Sequence, residues 1–270
     1  MSGIRNCYTL NMQSTHDAHG GHMQFNNNEV ALVTGGSTGI GLATAQLLSK
    51  EGARIIFCGR NRANGEEAES QINNSEFFPC DITKEDEVDA LFKHILKHYG
   101  RLDIAINNAG ISKSGKYLTE YTLEDFEDIV NVNVKGVFLC LQKEISIMQS
   151  VNRGAIVNIA SILGIKAHKS KNALYTMTKH AVVGLTKEAA LEYADAGIRV
   201  NAVLPAYTET KIIKHHLQDN EKRKRIEGMH PMGRLLLPEE IAEAVLFLSC
   251  AKSSGMTGAL VPVDGGCSAT

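Results

Sequence analysis

The sequence has no apolar run of the roughly 18 residues that a membrane-spanning helix needs, which excludes such a span. It also lacks an excess of either charge. The 28 basic and 30 acidic residues leave a net charge of -2, and nothing in that balance points to nucleic acid or to an anionic membrane surface. No C-x-x-C pair occurs. Cys7, Cys58, Cys80, Cys140, Cys250 and Cys267 are widely spaced, and several sit in apolar runs. They read as reduced, buried thiols of a cytosolic protein rather than a disulfide set or a metal site. The N-terminus lacks a basic start followed by an apolar stretch, so a secretory signal is not expected and the location read from the sequence is cytoplasmic.

Residues 1–28 are rich in Asn, His, Gly, Met and Gln and show no hydrophobic periodicity, which predicts a poorly ordered tail. Met23 is a possible alternative start. His16, His19 and His22 repeat every third residue, but a flexible tail offers no packed second shell for a metal, so no metal site is expected.

What is present is a core-sized apolar content, 43%, and from residue 29 an alternation of short apolar runs with helical patterns. Strands are expected at 30–34, 54–58, 77–80, 102–106, 155–160, 198–203 and 260–263. Helices are expected at 40–50, 66–72, 83–99 with Thr83 as N-cap, 123–149, 173–194 and 238–249, the last opened by Pro238. Strands alternating with helices imply an α/β fold: one doubly wound parallel sheet with helices on both faces, without linker or repeat.

The first strand runs into Thr34-Gly35-Gly36-Ser37-Thr38-Gly39-Ile40-Gly41 and then into the first helix. Glycines in that place let the backbone turn tightly and approach a pyrophosphate, while the helix N-terminus offers free N–H groups. No G-K-[ST] ending follows, which argues against a P-loop NTPase. The spacing T-G-x-x-x-G-I-G resembles the short-chain dehydrogenase/reductase family. So do Asn107-Asn108-Ala109-Gly110 after the fourth strand, Asn133 in the following helix, Ser161 after the fifth strand, and Tyr175-Thr176-Met177-Thr178-Lys179. The resemblance spans about residues 29–266. It implies a single-domain Rossmann-type fold over residues 29–270, which binds a dinucleotide and carries the catalysis.

The chemistry of these residues agrees with that implication. Carbonyl reduction needs a proton donor beside the hydride donor. Free tyrosine has a pKa near 10, and a cation one helical turn away lowers it. Lys179 is so placed relative to Tyr175. Ser161 can donate a hydrogen bond to the carbonyl oxygen. By resemblance, Asn133 holds a water that links Lys179 to solvent.

The second strand ends at Gly59, where an acidic residue would bind the ribose hydroxyls of NAD, and Arg60 follows. A guanidinium suits a 2′-phosphate, so NADP is favoured, with NAD as the alternative. By resemblance Asp81 and Ile82 flank the adenine, and Asn108, Ala109 and Gly110 line the ribose. Pro205-Ala206-Tyr207-Thr208-Glu209-Thr210 looks like the family's P-G-x-x-x-T contact to the carboxamide, with Ala206 where glycine is usual. The expected cofactor set is therefore Gly35, Ser37, Thr38, Gly39, Ile40, Gly41, Arg60, Asp81, Ile82, Asn108, Ala109, Gly110, Tyr175, Lys179, Pro205, Thr208 and Thr210.

Residues 209–232 are expected to cover the substrate. They carry Lys211, Lys214, His215, His216, Lys222, Arg223, Lys224 and Arg225, which reads either as a solvated lid or as an attraction for an acidic substrate. The chain resembles 3-oxoacyl-carrier-protein reductases and glucose dehydrogenases of the family. Leu139 and Leu191 stand where some carrier-protein reductases place basic docking residues. The partner expected is a small carbonyl or alcohol substrate. A homotetramer is the family's implication, through the two long apolar-striped helices. The alternatives are an NAD-dependent alcohol dehydrogenase working oxidatively and a non-catalytic cofactor-binding protein.

Overall fold

The computed structural model describes residues 24–25, 28–169, 171–210 and 219–269. Cys7, the histidine repeat, and Lys211, Lys214, His215 and His216 lie outside them.

Alternating side chains in each strand decide the layering. In β1 (Val30–Thr34), Val30 and Leu32 enter one core while Ala31 and Val33 enter the other. In β2 (Arg54–Gly59), Ile56 and Cys58 divide from Ile55 and Phe57 in the same way. A strand apolar on both sides has to be covered on both sides. The first core is closed by α3 (Glu85–Tyr99), α5 (Val137–Gln149) and α6 (Ala173–Glu192). The second is closed by α1 (Gly39–Lys50), α2 (Arg62–Glu69) and α8 (Pro238–Ser249). Between these layers β3 (Ser75–Pro79), β4 (Ile104–Asn107), β5 (Gly154–Ile159), β6 (Ile198–Pro205) and β7 (Leu260–Val263) complete a parallel sheet in the order β3-β2-β1-β4-β5-β6-β7. The order reverses between β1 and β4, and ligands of such sheets bind outside the strand carboxyl ends at that reversal.

Three expectations are corrected. Thr83 does not cap α3: its hydroxyl and N–H both donate to Asp81 Oδ1 (2.9 and 3.0 Å), so the helix starts at Glu85. The second helix starts at Arg62, not residue 66, because Asn61 Oδ1 accepts the Asn64 N–H at 2.9 Å. The long helix expected over 123–149 is not one α-helix. It is α4 (Leu123–Val130), a π-helical stretch at Asn131–Gly136, then α5. π turns inside α-helices frequently mark functional positions.

Part of the segment read as a tail packs on the domain. Phe25 is buried in the second core, and its N–H donates to the Glu51 carbonyl at 3.0 Å. A short helix, α7 (Asn220–Glu227), lies in the lid segment. No helix among the described residues is long and apolar enough to cross a membrane, and no cluster of side chains there could hold a metal ion. Cys58, Cys80, Cys140, Cys250 and Cys267 are buried and form no disulfide among the described residues.

Candidate active site

A cavity of about 730 Å³ opens along the carboxyl ends of the strands, at the order reversal. It is lined by the loop after β1, Gly59 and Arg60 after β2, Asp81 and Ile82 after β3, Asn108 to Gly110 after β4, Ser161 after β5 and Pro205 after β6. Tyr175, Lys179, Thr208 and Thr210 also face it. Two expected residues do not. Gly41 is buried beneath the loop, where an added Cβ would lie 2.3 Å from the Gly35 carbonyl and 2.4 Å from Asn108 Nδ2. Asn133 is buried behind Gly110 and Ile111.

The loop suits a pyrophosphate. Gly35 and Gly39 have φ of 65° and 56°, a left-handed backbone that favours glycine. Thr38 stands at the N-cap of α1 without a side-chain capping bond, and no acid occupies the first turn. The helix thus turns its positive end and free N–H groups to the cavity. Asn108 holds the loop from the neighbouring strand: Nδ2 donates to the carbonyls of Thr34 and Gly35, both at 3.0 Å. Thr34 Oγ1 in turn accepts the N–H groups of Asn108 and Ala109, each at 3.1 Å. Asn108 therefore acts through the loop it pins. Thr210 packs across Gly39, and Thr208 is turned inward, its hydroxyl on the Ala206 carbonyl at 3.1 Å. Ala206 has no positive φ, so alanine fits where the family favours glycine.

Ser161 leaves β5 with an extended backbone. Its Oγ accepts the Leu163 N–H at 3.1 Å and donates to the Pro205 carbonyl at 3.5 Å. Tyr175 and Lys179 share one face of α6, with Nζ 5.6 Å from the ring centre. Lys179 Nζ donates to the Ile159 carbonyl at 2.7 Å, and burial lowers its pKa to about 8. Burial also raises Tyr175 to about 12, against the lowering effect of the Ser161 hydrogen bond. The expected depression of the Tyr175 pKa by Lys179 does not appear: removal from water is the largest influence on the phenol, and Lys179 is not among the groups acting on it. Asn133 accepts the Ile111 N–H (2.8 Å) and donates to the Ile111 carbonyl (2.9 Å) and Thr178 Oγ1 (3.1 Å). A Cβ built on Gly110 would lie 3.3 Å from Asn133 Oδ1 and 3.7 Å from Lys179 Nζ, so the two converge across that glycine.

Sequence reasoning missed a polar chain under the site. Asn107 Nδ2 donates to Glu144 Oε2 and to Asn158 Oδ1, both at 3.0 Å, and Asn158 Nδ2 donates to Thr186 Oγ1 at 2.9 Å. All four residues are buried, and burial raises the Glu144 pKa to about 8. The signal was there in the spacing: Glu144 falls on the buried stripe of Val137, Cys140, Leu141, Ile145 and Met148.

Known proteins agree with this geometry. The family model described as enoyl-(acyl carrier protein) reductase matches residues 35–268. The chain belongs to the short-chain dehydrogenase/reductase family. As a member it is an oxidoreductase that interconverts alcohol and carbonyl groups with a nicotinamide cofactor. It is 35% identical to a 3beta-hydroxysteroid dehydrogenase of Mediterraneibacter gnavus, over 89% of this chain and 95% of that one. It is likewise 35% identical to a 3-oxoacyl-[acyl-carrier-protein] reductase of Thermotoga maritima, over 88% and 97%. Among solved short-chain dehydrogenase/reductase structures, ElxO with NADP bound superposes with a TM-score of 0.85 at 36% identity, over 90% of this chain and 99% of ElxO. A single-substitution variant of actinorhodin polyketide ketoreductase with NADPH gives a TM-score of 0.86 at 34% identity, over 91% and 99%.

Proposed function

We propose that this protein reduces a carbonyl compound with NADPH, and that Tyr175, Ser161, Lys179 and Asn133 carry the reaction. The observation behind this is that Tyr175, Ser161 and Lys179 line the same cavity as the glycine loop and Arg60. A bound nicotinamide supplies the hydride. Tyr175 gives its phenolic proton to the carbonyl oxygen, and its raised pKa keeps that proton in place at neutral pH. Ser161, which lines the cavity with Tyr175, donates a hydrogen bond to the same oxygen as charge develops on it. Lys179 directs one hydrogen to the Ile159 carbonyl, which leaves two for cofactor hydroxyls. Asn133 pins Ile111 and holds the π-helical stretch against the site, as a positioning residue.

NADP is favoured over NAD because Arg60 stands exposed at the cavity edge beyond β2, with no carboxylate partner among the described residues. Asp81, the one acid among the described residues lining the cavity, has Oδ1 occupied by Thr83. The NADP-bound relatives support the same choice. We read the chain from residue 29 onward as one cofactor-binding and catalytic domain. Five buried thiols outside any disulfide fit a reducing compartment, the cytoplasm. A homotetramer accords with the apolar side chains left exposed on α4–α5 (Leu123, Phe126, Phe138) and α6 (Met177, Leu191).

The test is loss of NADPH absorbance with a panel of carbonyl compounds. Tyr175→Phe is expected to lower turnover at least a thousandfold while NADPH still binds. Turnover near wild type in that variant refutes the role given to Tyr175.

A further inference from the structure

Besides Arg60 and Lys179, three cations line the cavity, Lys169 and Lys171 on the loop between Ser161 and Tyr175 and Arg225 on α7, and His168 joins them from the same loop. Among the described residues the one carboxylate lining the cavity is Asp81, after β3. Several cations outside the cavity are neutralised: Lys113 reaches Asp128 at 2.6 Å and Asp125 at 3.2 Å, Arg223 reaches Glu227 at 2.8 Å, and Arg234 reaches Glu240 at 2.7 Å. Among the described residues, none of Lys169, Lys171 and Arg225 has a carboxylate partner.

The loop holding three of them is built for its position. Lys171 has φ of 52°, a left-handed backbone that a lysine rarely adopts. Its carbonyl is held there by the Gly115 N–H at 3.0 Å and the Tyr121 hydroxyl at 3.2 Å, and its Nζ lies 3.8 Å from the Tyr117 ring centre. The same cavity has apolar lining from Ile111, Ile162, Leu163, Ile226 and Met229.

We propose that the substrate is an anionic carbonyl compound: a carboxylate or phosphate joined by an apolar spacer to the carbonyl that Tyr175 protonates. The anion sits among His168, Lys169, Lys171 and Arg225. This rests on the oxidoreductase reading and narrows it. The apolar wall takes the spacer, and the unneutralised cations attract the anion and reject neutral competitors that leave them idle.

The experiment uses the NADPH complex of the full chain. Its ligands are oxo carboxylates of increasing chain length, their methyl esters, and a ketone phosphate ester. Affinity is read from quenching of bound NADPH fluorescence and kcat/KM from absorbance. The expected result is an acid bound at least tenfold more tightly than its ester at low salt, with the gap closing at high salt. Lys171→Gln and Arg225→Gln should each remove about three- to tenfold of that preference. Lys116→Gln, whose charge faces Asp125, should leave it in place. The carboxylate and phosphate arms distinguish the two anions. Equal or better binding of the ester overturns the proposal, as does strong preference for a thioester on a carrier protein. If acids bind preferentially and no carbonyl is ever reduced, the anion site stands and the oxidoreductase reading falls.

Discussion

Glu144→Gln isolates one buried proton. Glu144 lies on α5 with its side chain under the sheet, and burial raises its pKa from 4.5 to about 8. Its Oε2 accepts from Asn107, while Oε1 and Asn107 Oδ1 find no partner. At neutral pH the folded chain therefore holds a protonated carboxyl that the unfolded chain would ionise. The folded state binds the extra proton, so this group's contribution is fully favourable below pH 4.5. It falls by about 1.4 kcal/mol per pH unit as pH rises and levels off above about 8. Glutamine has the same shape, does not titrate, and can offer an N–H to Asn107 Oδ1. The variant should match wild type near pH 4.5, exceed it by about 3 kcal/mol at pH 7 and by about 5 kcal/mol at pH 9. Urea unfolding from pH 5 to 9, at one protein concentration, measures the gap. A gap that stays constant with pH would show that Glu144 is not the titrating group.

Three further outcomes follow from the same geometry. Gly41→Ala places a methyl 2.3 Å from the Gly35 carbonyl, so NADPH binding should weaken at least tenfold by titration; unchanged affinity contradicts the packing described. Arg60→Ala should reduce the NADPH over NADH ratio of kcat/KM by about tenfold or more, and an unchanged ratio removes Arg60 from the 2′-phosphate site. Phe138→Glu puts a charge on the exposed face of α5 and should lower the mass seen by sedimentation; an unaltered mass moves the interface elsewhere.

The fold was legible because each strand divides its apolar residues between two faces and each helix shows a stripe. The site was legible because Gly35 to Gly41, Ser161, Tyr175 and Lys179 come in order at strand ends or one helical turn apart. What escaped has specific causes. Gly65 lowers helix propensity, and the helical pattern in the sequence begins only after it, at residue 66. A Cβ at Gly65 would lie 2.2 Å from the Phe77 ring, so tertiary packing requires the glycine that disguised the helix. Thr83 looked like a cap, but Asp81 claims its hydroxyl first. The Tyr175 pKa went the other way because desolvation depends on the finished cavity, which local spacing does not reveal.

The π-helical stretch at Asn131–Gly136 is where this long helical segment holds a spare residue. A π turn takes up one residue more than an α turn. Removing one residue from it would let the helix close into regular α geometry with Val137, Cys140, Leu141 and Glu144 still turned to the sheet, at the cost of the contacts Asn133 makes with Ile111. A one-residue deletion within α5 would instead turn every following side chain by about 100° and carry the rest of the stripe away from the sheet. Length is therefore negotiable in the π stretch and fixed in the helix that follows it.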